Sequence, residues 1–468
     1  MYHSARLSQT AIFGDLVAAN RANSHKKNVF SALILIFCII LGFAWGVKDR
    51  CAAIIEQKVL TGLDVGTVIG IEGRLLDDPR TTKNGKGMGT LKLRKSFAKN
   101  GIESSAKGKV LVFFPEGSIP RLKEFGRGAD IYVDGKFARN TDGNNVTTFD
   151  AKMFRAGSTH VIRPAPLIDQ WRTSCRASLL DSFSSSQARR FGGLSLALLL
   201  GIKDNLDAEL SKQYQNAGCS YILALSGMHL AIVSALLAFV LKRPFGKKLA
   251  AVIGALFIVL YVYIVGGGAS LVRAEIMFLL GTAAILFELK TGAALLLAIA
   301  FLIQINFDAA SGDAISFLLS YGALAGILSL GGSVSYLFKG KLPEKIGVPL
   351  SASIGAFGAT MALTIGFFGE LRLVGILAGL IIAPFTTVFM IGSIIYLFLS
   401  FVFPPLNVLL ALLLNINYSV LQGLAAFAST APAIKISASA PSIFAGLLLP
   451  AAVMVLYMHV KHLRLRCT

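Results

Sequence analysis

Long apolar runs, most of them without interior charge, decide the class of this chain before any other feature is read. They cover Asn28 to Val47 and then, in order, residues 219–241, 249–266, 270–287, 291–305, 314–337, 349–368, 373–402, 406–428 and 442–459. A bilayer core is about 30 Å thick and a spanning helix needs about 20 apolar residues, so most of these runs are long enough to cross it. With 54% hydrophobic and 15% charged residues in 468, the chain lacks the polar groups to cover a soluble globule of its size. The expected fold class is a polytopic α-helical membrane protein of about ten transmembrane helices carrying an inserted extracytoplasmic domain.

That domain announces itself by a change of texture between Gly66 and Phe154. Short segments rich in Val, Ile, Tyr, Phe and Thr (GTVIGIEGRL, GTLKLRKS, GKVLVFFP, ADIYVDGKF, NNVTTFDAKMF) are separated by turn residues, among them Asn84-Gly85, Asp134-Gly135 and Asp142-Gly143. Five such strands suit a small β-barrel of the OB-like kind, with a generic β-sandwich as the other reading. The pattern divides the chain into a cytoplasmic segment 1–27, a first transmembrane helix 28–47 and an OB-like β domain 50–165. A linker with an interfacial amphipathic helix (166–218), a transmembrane domain (219–460) and a cytoplasmic tail (461–468) follow. The helix in the linker is Phe191 to Ile202, too short to span.

Charge sets the orientation. Short basic segments stand at Lys26-Lys27, 241–248 (LKRPFGKK), 339–345 (KGKLPEK) and 461–466 (KHLRLR), and an even number of apolar runs separates each from the next. Since Lys and Arg collect on the cytoplasmic side, one orientation satisfies all four, with both termini inside and the β domain outside. The run 28–47 is too long for a signal-peptide core and lacks a small-residue cleavage site, so it is expected to be retained. The run 373–402 contains Pro384 and reads as one tilted span or a broken or re-entrant pair.

Residues 50–190 hold 24 Lys and Arg against 14 Asp and Glu, an excess of ten positive charges in the part expected outside. Such a domain prefers anionic partners, nucleic acid or lipid headgroups. Lys92, Arg94, Lys95 and Lys99 cluster around one strand and hairpin and are the candidate phosphate contacts. The nearby Phe97, Phe113, Phe114, Tyr132 and Phe137 read mainly as barrel core. Cys51 and Cys175 bracket the domain on its oxidising side, where a disulfide or two unpaired thiols are the alternatives.

Intramembrane polar residues mark the candidate site. The stretch Ala217-Gly-Cys-Ser-Tyr-Ile-Leu-Ala-Leu-Ser-Gly-Met-His-Leu230 opens a span with Ser220 and sets Ser226, Gly227 and His229 at mid-depth, where hydrocarbon penalises polar groups unless they face protein or water. Ser226 and His229 share a helix face, and Gly227 lets another backbone approach. Arg273 follows Gly266-Gly267-Gly268 near the outer end of its span, where it meets a phosphate, snorkels to headgroups, or pairs with Asp313.

These segments resemble the ComEC family of competence proteins. Ala217, Gly218, Leu223, Ala224, Ser226, Gly227 and His229 match its central motif, with Tyr221 where a histidine is usual. LALLLGIKDNLDAEL (196–210), Ala269 to Met277, DAISFLLSYGA (313–323) and FGELRLVGILAGLIIAP (368–384) resemble further segments in the family's order, with Gly379 where Asn is usual. The resemblance implies a bacterial inner-membrane channel for single-stranded DNA during natural transformation, with Ser226, Gly227, His229, Arg273, Asp313 and Ser320 at the pore or at helix contacts lining it. It also implies a separate nuclease, a cytoplasmic helicase or DNA-binding proteins, membrane lipids and a homo-oligomer as partners. The chain ends without the metallo-β-lactamase-like domain of long ComEC proteins and has neither an H-x-H-x-D-H cluster nor a phosphate loop. No metal, cofactor or enzymatic activity is expected of it. The competing readings are a secondary transporter of a small anionic solute and a membrane-anchored oligonucleotide or glycan binder.

Overall fold

A computed structural model describes residues 60–436, apart from 62, 65, 82–85, 116–125, 142–146 and 308–314. The described residues form two units that meet in sequence between Asp181 and Ser182.

The first unit is a β domain built from β1 (Leu60–Thr61), β2 (Val68–Leu75), β3 (Arg80–Thr81), β4 (Gly87–Ala98), β5 (Glu103–Lys107), β6 (Lys109–Phe114), β7 (Asp130–Thr141) and β8 (Thr147–Arg163). Strict inside–outside alternation makes these strands: Leu91, Leu93, Val110, Val112, Phe114, Ile131, Val133 and Phe154 are buried, while Lys92, Arg94 and Lys109 between them are exposed. Five strands close on themselves. β4 pairs with β2, β2 with β7 and β7 with β8, all antiparallel, and β8 returns through a parallel pairing with β6 to β4.

Helix α1 (Leu167–Phe183) follows, tied to the domain by charge. The Arg172 side chain, 2% exposed, donates from both terminal nitrogens to Asp78, at 3.0 and 2.8 Å. Burial pushes the Asp78 carboxyl up, but Arg172, Arg176 and the Arg127 amide more than offset this and hold it below its ordinary 3.8. Cys175 lies on this helix, and Cys51, the residue it was weighed against for a disulfide, lies outside the described residues.

The second unit is helical: α2 (Gly192–Leu200), α3 (Ala208–Asn216), a 3₁₀ turn (Ser220–Ile222), α4 (Gly227–Val265), α5 (Ala269–Leu286), α6 (Ala293–Phe307), α7 (Ile315–Gly326), α8 (Gly332–Phe338), α9 (Glu344–Phe368), α10 (Val374–Val402) and α11 (Asn407–Ser429). A π-helical segment, Ile327–Gly331, joins α7 to α8, so that Ile315–Phe338 forms one stretch of 24 residues. Among the described residues, six helices are long and apolar enough to cross a membrane, and α6 is a shorter apolar one. The expected spans 28–47 and 442–459 lie outside the described residues.

Two expectations change. The runs 219–241 and 249–266 themselves stay distinct, as the two arms of α4 on either side of a break at Gly246, whose φ of 70° and ψ of 176° are not helical, two residues after Pro244. The first arm starts at Gly227 and not at 219, because Gly218 takes a left-handed φ of 70° and Ser226 is extended as the N-cap. Ser226, Gly227 and His229 therefore stand at a helix end, not in the middle of a span. Helix α2 does not lie along an interface as an amphipathic helix: eight of its nine residues are buried, as an apolar-all-round sequence requires. Where 373–402 left two alternatives open, α10 is one helix with Pro384 inside it.

Small residues draw the helices together. Gly355 of α9 meets Gly326 and Gly331 backbone to backbone, so closely that any side chain at 355 would collide. At the far end of α9 the short strands β9 (Glu370–Leu371) and β10 (Ile434–Lys435) pair, bringing the start of α10 and the end of α11 together.

Candidate functional site

Ala217 to His229 fold into a tight reversal followed by a helix start. At Gly218 a methyl group would begin 3.1 Å from Arg372 and 3.2 Å from Gly375, so the glycine serves both its left-handed backbone and a close approach to α10. Cys219, Ile222 and Leu223 are buried beneath it. Ser226 then caps α4. Its amide donates to Nδ1 of His229 at 3.2 Å, and its hydroxyl lies 3.1 Å from the same nitrogen. The imidazole is fully buried, and its Nε2 has no hydrogen-bond partner among the described residues.

Gly227 opens the way to a second polar group. A side chain there would begin 3.3 Å from Nη2 of Arg273, the fifth residue of α5, whose guanidinium fills the space instead. Arg273 is 8% exposed, donates from Nη1 to the Ser320 carbonyl and lies over the ring of Tyr321, 5.6 Å from its centre. Its Nε makes no hydrogen bond among the described residues. The Ser320 hydroxyl donates to that of Ser270 at 2.7 Å. Tyr321 donates to Gln304 at 3.0 Å, and Gln304 donates to the Ala269 carbonyl at 3.0 Å. The structure thus gathers Ser226, Gly227, His229, Arg273 and Ser320 around the facing ends of α4, α5 and α7. Asp313 lies outside the described residues.

Sequence reasoning passed over Ser270, Gln304 and Tyr321. The available signal was the one already used, a polar side chain in an apolar run, and Gln304 in AFLIQINF gives it. The two departures from the family pattern also meet: the Tyr221 hydroxyl occupies the space that a side chain at Gly379 would fill.

The β domain carries the second candidate surface. Register across its outer face aligns Lys109, Lys92, Arg74, Asp130 and Arg163 on five neighbouring strands, four of them basic. Arg74 and Arg94 both bind the buried Asp130, at 3.1 and 2.7 Å, and Lys95 pairs with Glu103 at 3.0 Å. The Glu103 carboxylate, hydrogen-bonded to the Lys95 ammonium, raises the lysine's pKa. The four basic residues singled out from the sequence are all exposed, and Arg94 and Lys95 are in addition engaged by carboxylates. Arg74, Lys109 and Arg163 join the row only through strand register and have no local sequence signal.

Beside the row, Met88 pairs with Phe113 and Thr90 with Leu111 between β4 and β6, and Leu111 pairs with Met153 on β8. These side chains face outward, partly exposed, with Lys92, Lys109 and Arg155 around them. Phe114 and Phe137 belong to the core. Phe97 and Tyr132 form an edge-to-face pair at 5.2 Å on the outer face.

The family model described as "Competence protein" matches residues 198–462, more than half of the chain. ComE operon protein 3 of Bacillus subtilis (strain 168) is 25% identical over 196 residues, which cover 42% of this chain and 25% of that protein. An uncharacterized protein of Aquifex aeolicus (strain VF5) is 26% identical over 253 residues, 54% of this chain and 59% of its own length. The chain thus spans less than two thirds of either relative.

Proposed function

The chain belongs to the competence protein family, and from that premise we propose that it conducts single-stranded DNA across the bacterial inner membrane during natural transformation. The β domain, on this reading extracytoplasmic, takes up the strand. Its ring order β2-β4-β6-β8-β7, closed by one parallel pair, is that of an OB-fold barrel and supports this reading.

The observation that carries the proposal is the exposed basic row of Lys109, Lys92 and Arg163, with Arg74 held to Asp130 among them, beside the outward patch of Phe113, Leu111, Met88 and Met153. A single strand needs both elements, cations spaced along its phosphates and apolar or aromatic surfaces for its bases, and neither requires a particular sequence. In the bundle, Arg273 and His229 supply buried polar groups next to Ser226 and Ser320, positioned for a pore or for the helix contacts lining one. Removal of the second strand and the pulling force fall to a separate nuclease and a cytoplasmic helicase or DNA-binding protein.

Deletion of the gene in a naturally competent host, followed by exposure to labelled DNA, tests the proposal. Uptake into the cytoplasm should disappear while binding of DNA at the cell surface persists; unchanged transformation would overturn it.

A further inference from the structure

The segments on either side of helix α2 bring four charges beside the middle of α11. Tyr418 stands eleven residues from either end of α11, one of the six helices able to span. At 1.5 Å per residue that is the middle of a span about 34 Å long. The guanidinium of Arg190 lies over the Tyr418 ring, 5.8 Å from its centre. Around this contact opens a cavity of about 470 Å³ whose walls include Arg189, Arg190, Asp204, Asp207, Tyr418 and Gln422. All four charged side chains are exposed.

Acyl chains at a bilayer centre penalise every such charge, and these four are exposed along an open cavity rather than enclosed by protein, a setting that suits water. The segment is also fixed at this depth. Helix α2, which begins two residues after Arg190, is buried on eight of nine residues, and its Ser195 hydroxyl bonds that of Ser393 on α10 at 2.9 Å. Phe191 packs edge-on against Phe389 and Tyr396 of α10.

We propose that this cavity is a water-filled vestibule reaching the middle of the membrane, in which Arg189 and Arg190 receive a phosphate of the passing strand. Asp204 and Asp207, on the facing connection, keep that hold weak, as conduction requires binding that also lets go. The phosphate role rests on the proposed DNA conduction; the vestibule itself does not.

Thiol accessibility in the full-length chain separates the two. With the native cysteines replaced, Gln422→Cys and Ile416→Cys are introduced singly; Ile416 is on the same helix, 55% exposed, and outside the cavity walls. A membrane-impermeant thiosulfonate should modify Gln422→Cys about 100-fold faster than Ile416→Cys, since only a thiol in water ionises to react. Equal slow rates would overturn the vestibule whatever the protein does with DNA. Adding an oligothymidylate to the purified protein should slow modification of Gln422→Cys at least fivefold, by about 1 kcal/mol or more of occupancy. The protection should vanish in an Arg189→Gln, Arg190→Gln background whose rate without DNA is unchanged. Fast modification with no protection would overturn the phosphate role alone.

Discussion

The imidazole of His229 accepts the backbone amide of Ser226 at 3.2 Å, three residues before it, so that the last motif position closes the first turn of α4 back on its own cap. A helix start has unpaired amides, and in a bundle of apolar helices the side chain that satisfies one is structural and positional at once. His229→Ala removes that acceptor and leaves a void in a fully buried position. It should lower stability by about 1–3 kcal/mol, read as a fall in the melting temperature of the detergent-solubilised protein. Uptake should fall with it, and an unchanged melting temperature would refute the capping role.

Gly227 and Arg273 are a matched pair, because the guanidinium lies 3.3 Å from where a side chain at 227 would begin. Gly227→Val should displace Arg273 from the Ser320 carbonyl at a cost of about 1–3 kcal/mol. In an Arg273→Ala background the same change should cost much less, and equal costs in both backgrounds would show that the two residues act independently.

Tyr221 and Gly379 stand where the family pattern has histidine and asparagine, and the tyrosine hydroxyl fills the space above the glycine. Gly379→Asn alone should destabilise the protein by overpacking, by about 1–3 kcal/mol. Combined with Tyr221→His it should recover at least half of that loss. Additive losses in the thermal-melt cycle would show that the two departures are unrelated.

The Arg172–Asp78 pair gives the β domain a defined acid limit. The folded-state pKa of Asp78 lies below its ordinary 3.8, so the pair's contribution is complete above that value and is lost as pH falls through the lower, folded value. Asp78→Asn leaves the buried guanidinium without this carboxylate and should cost about 3–5 kcal/mol at neutral pH. In acid titrations followed by tryptophan fluorescence, the variant should lack the part of the wild-type stability loss that occurs below pH 3.8. An identical acid slope in both proteins would remove Asp78 from the account.

For the outer face of the barrel, binding of single-stranded DNA should weaken with salt. Lys92→Ala and Lys109→Ala should each reduce the slope of log affinity against log salt by about 0.7, the value of one phosphate contact on a single strand. Arg94→Ala should change that slope less, since its guanidinium is already held by Asp130 at 2.7 Å. A larger effect at Arg94 than at Lys92 would move the strand to another path.

The apolar runs and the change to alternating β segments fixed the two kinds of structure from sequence alone, because burial periodicity is a local property: residues 87–98 alternate by themselves, and residues 374–402 are apolar by themselves. The motif at 217–229 was legible for the same reason, since glycine and polar residues are conspicuous in an oily background. What a residue meets across space was not legible. Whether α2 is buried in the bundle or lies along an interface depends on α10 packing over it; that Arg94 is engaged while Lys109 joins a basic row depends on strand register. A charged cavity at the midpoint of α11 exists only because the chain between α1 and α4 is carried to that depth by the buried α2. Hydropathy reports how much of a segment avoids water, and it carries no information about which partner excludes that water; the tertiary contacts of Arg190, Arg273 and His229 supply it.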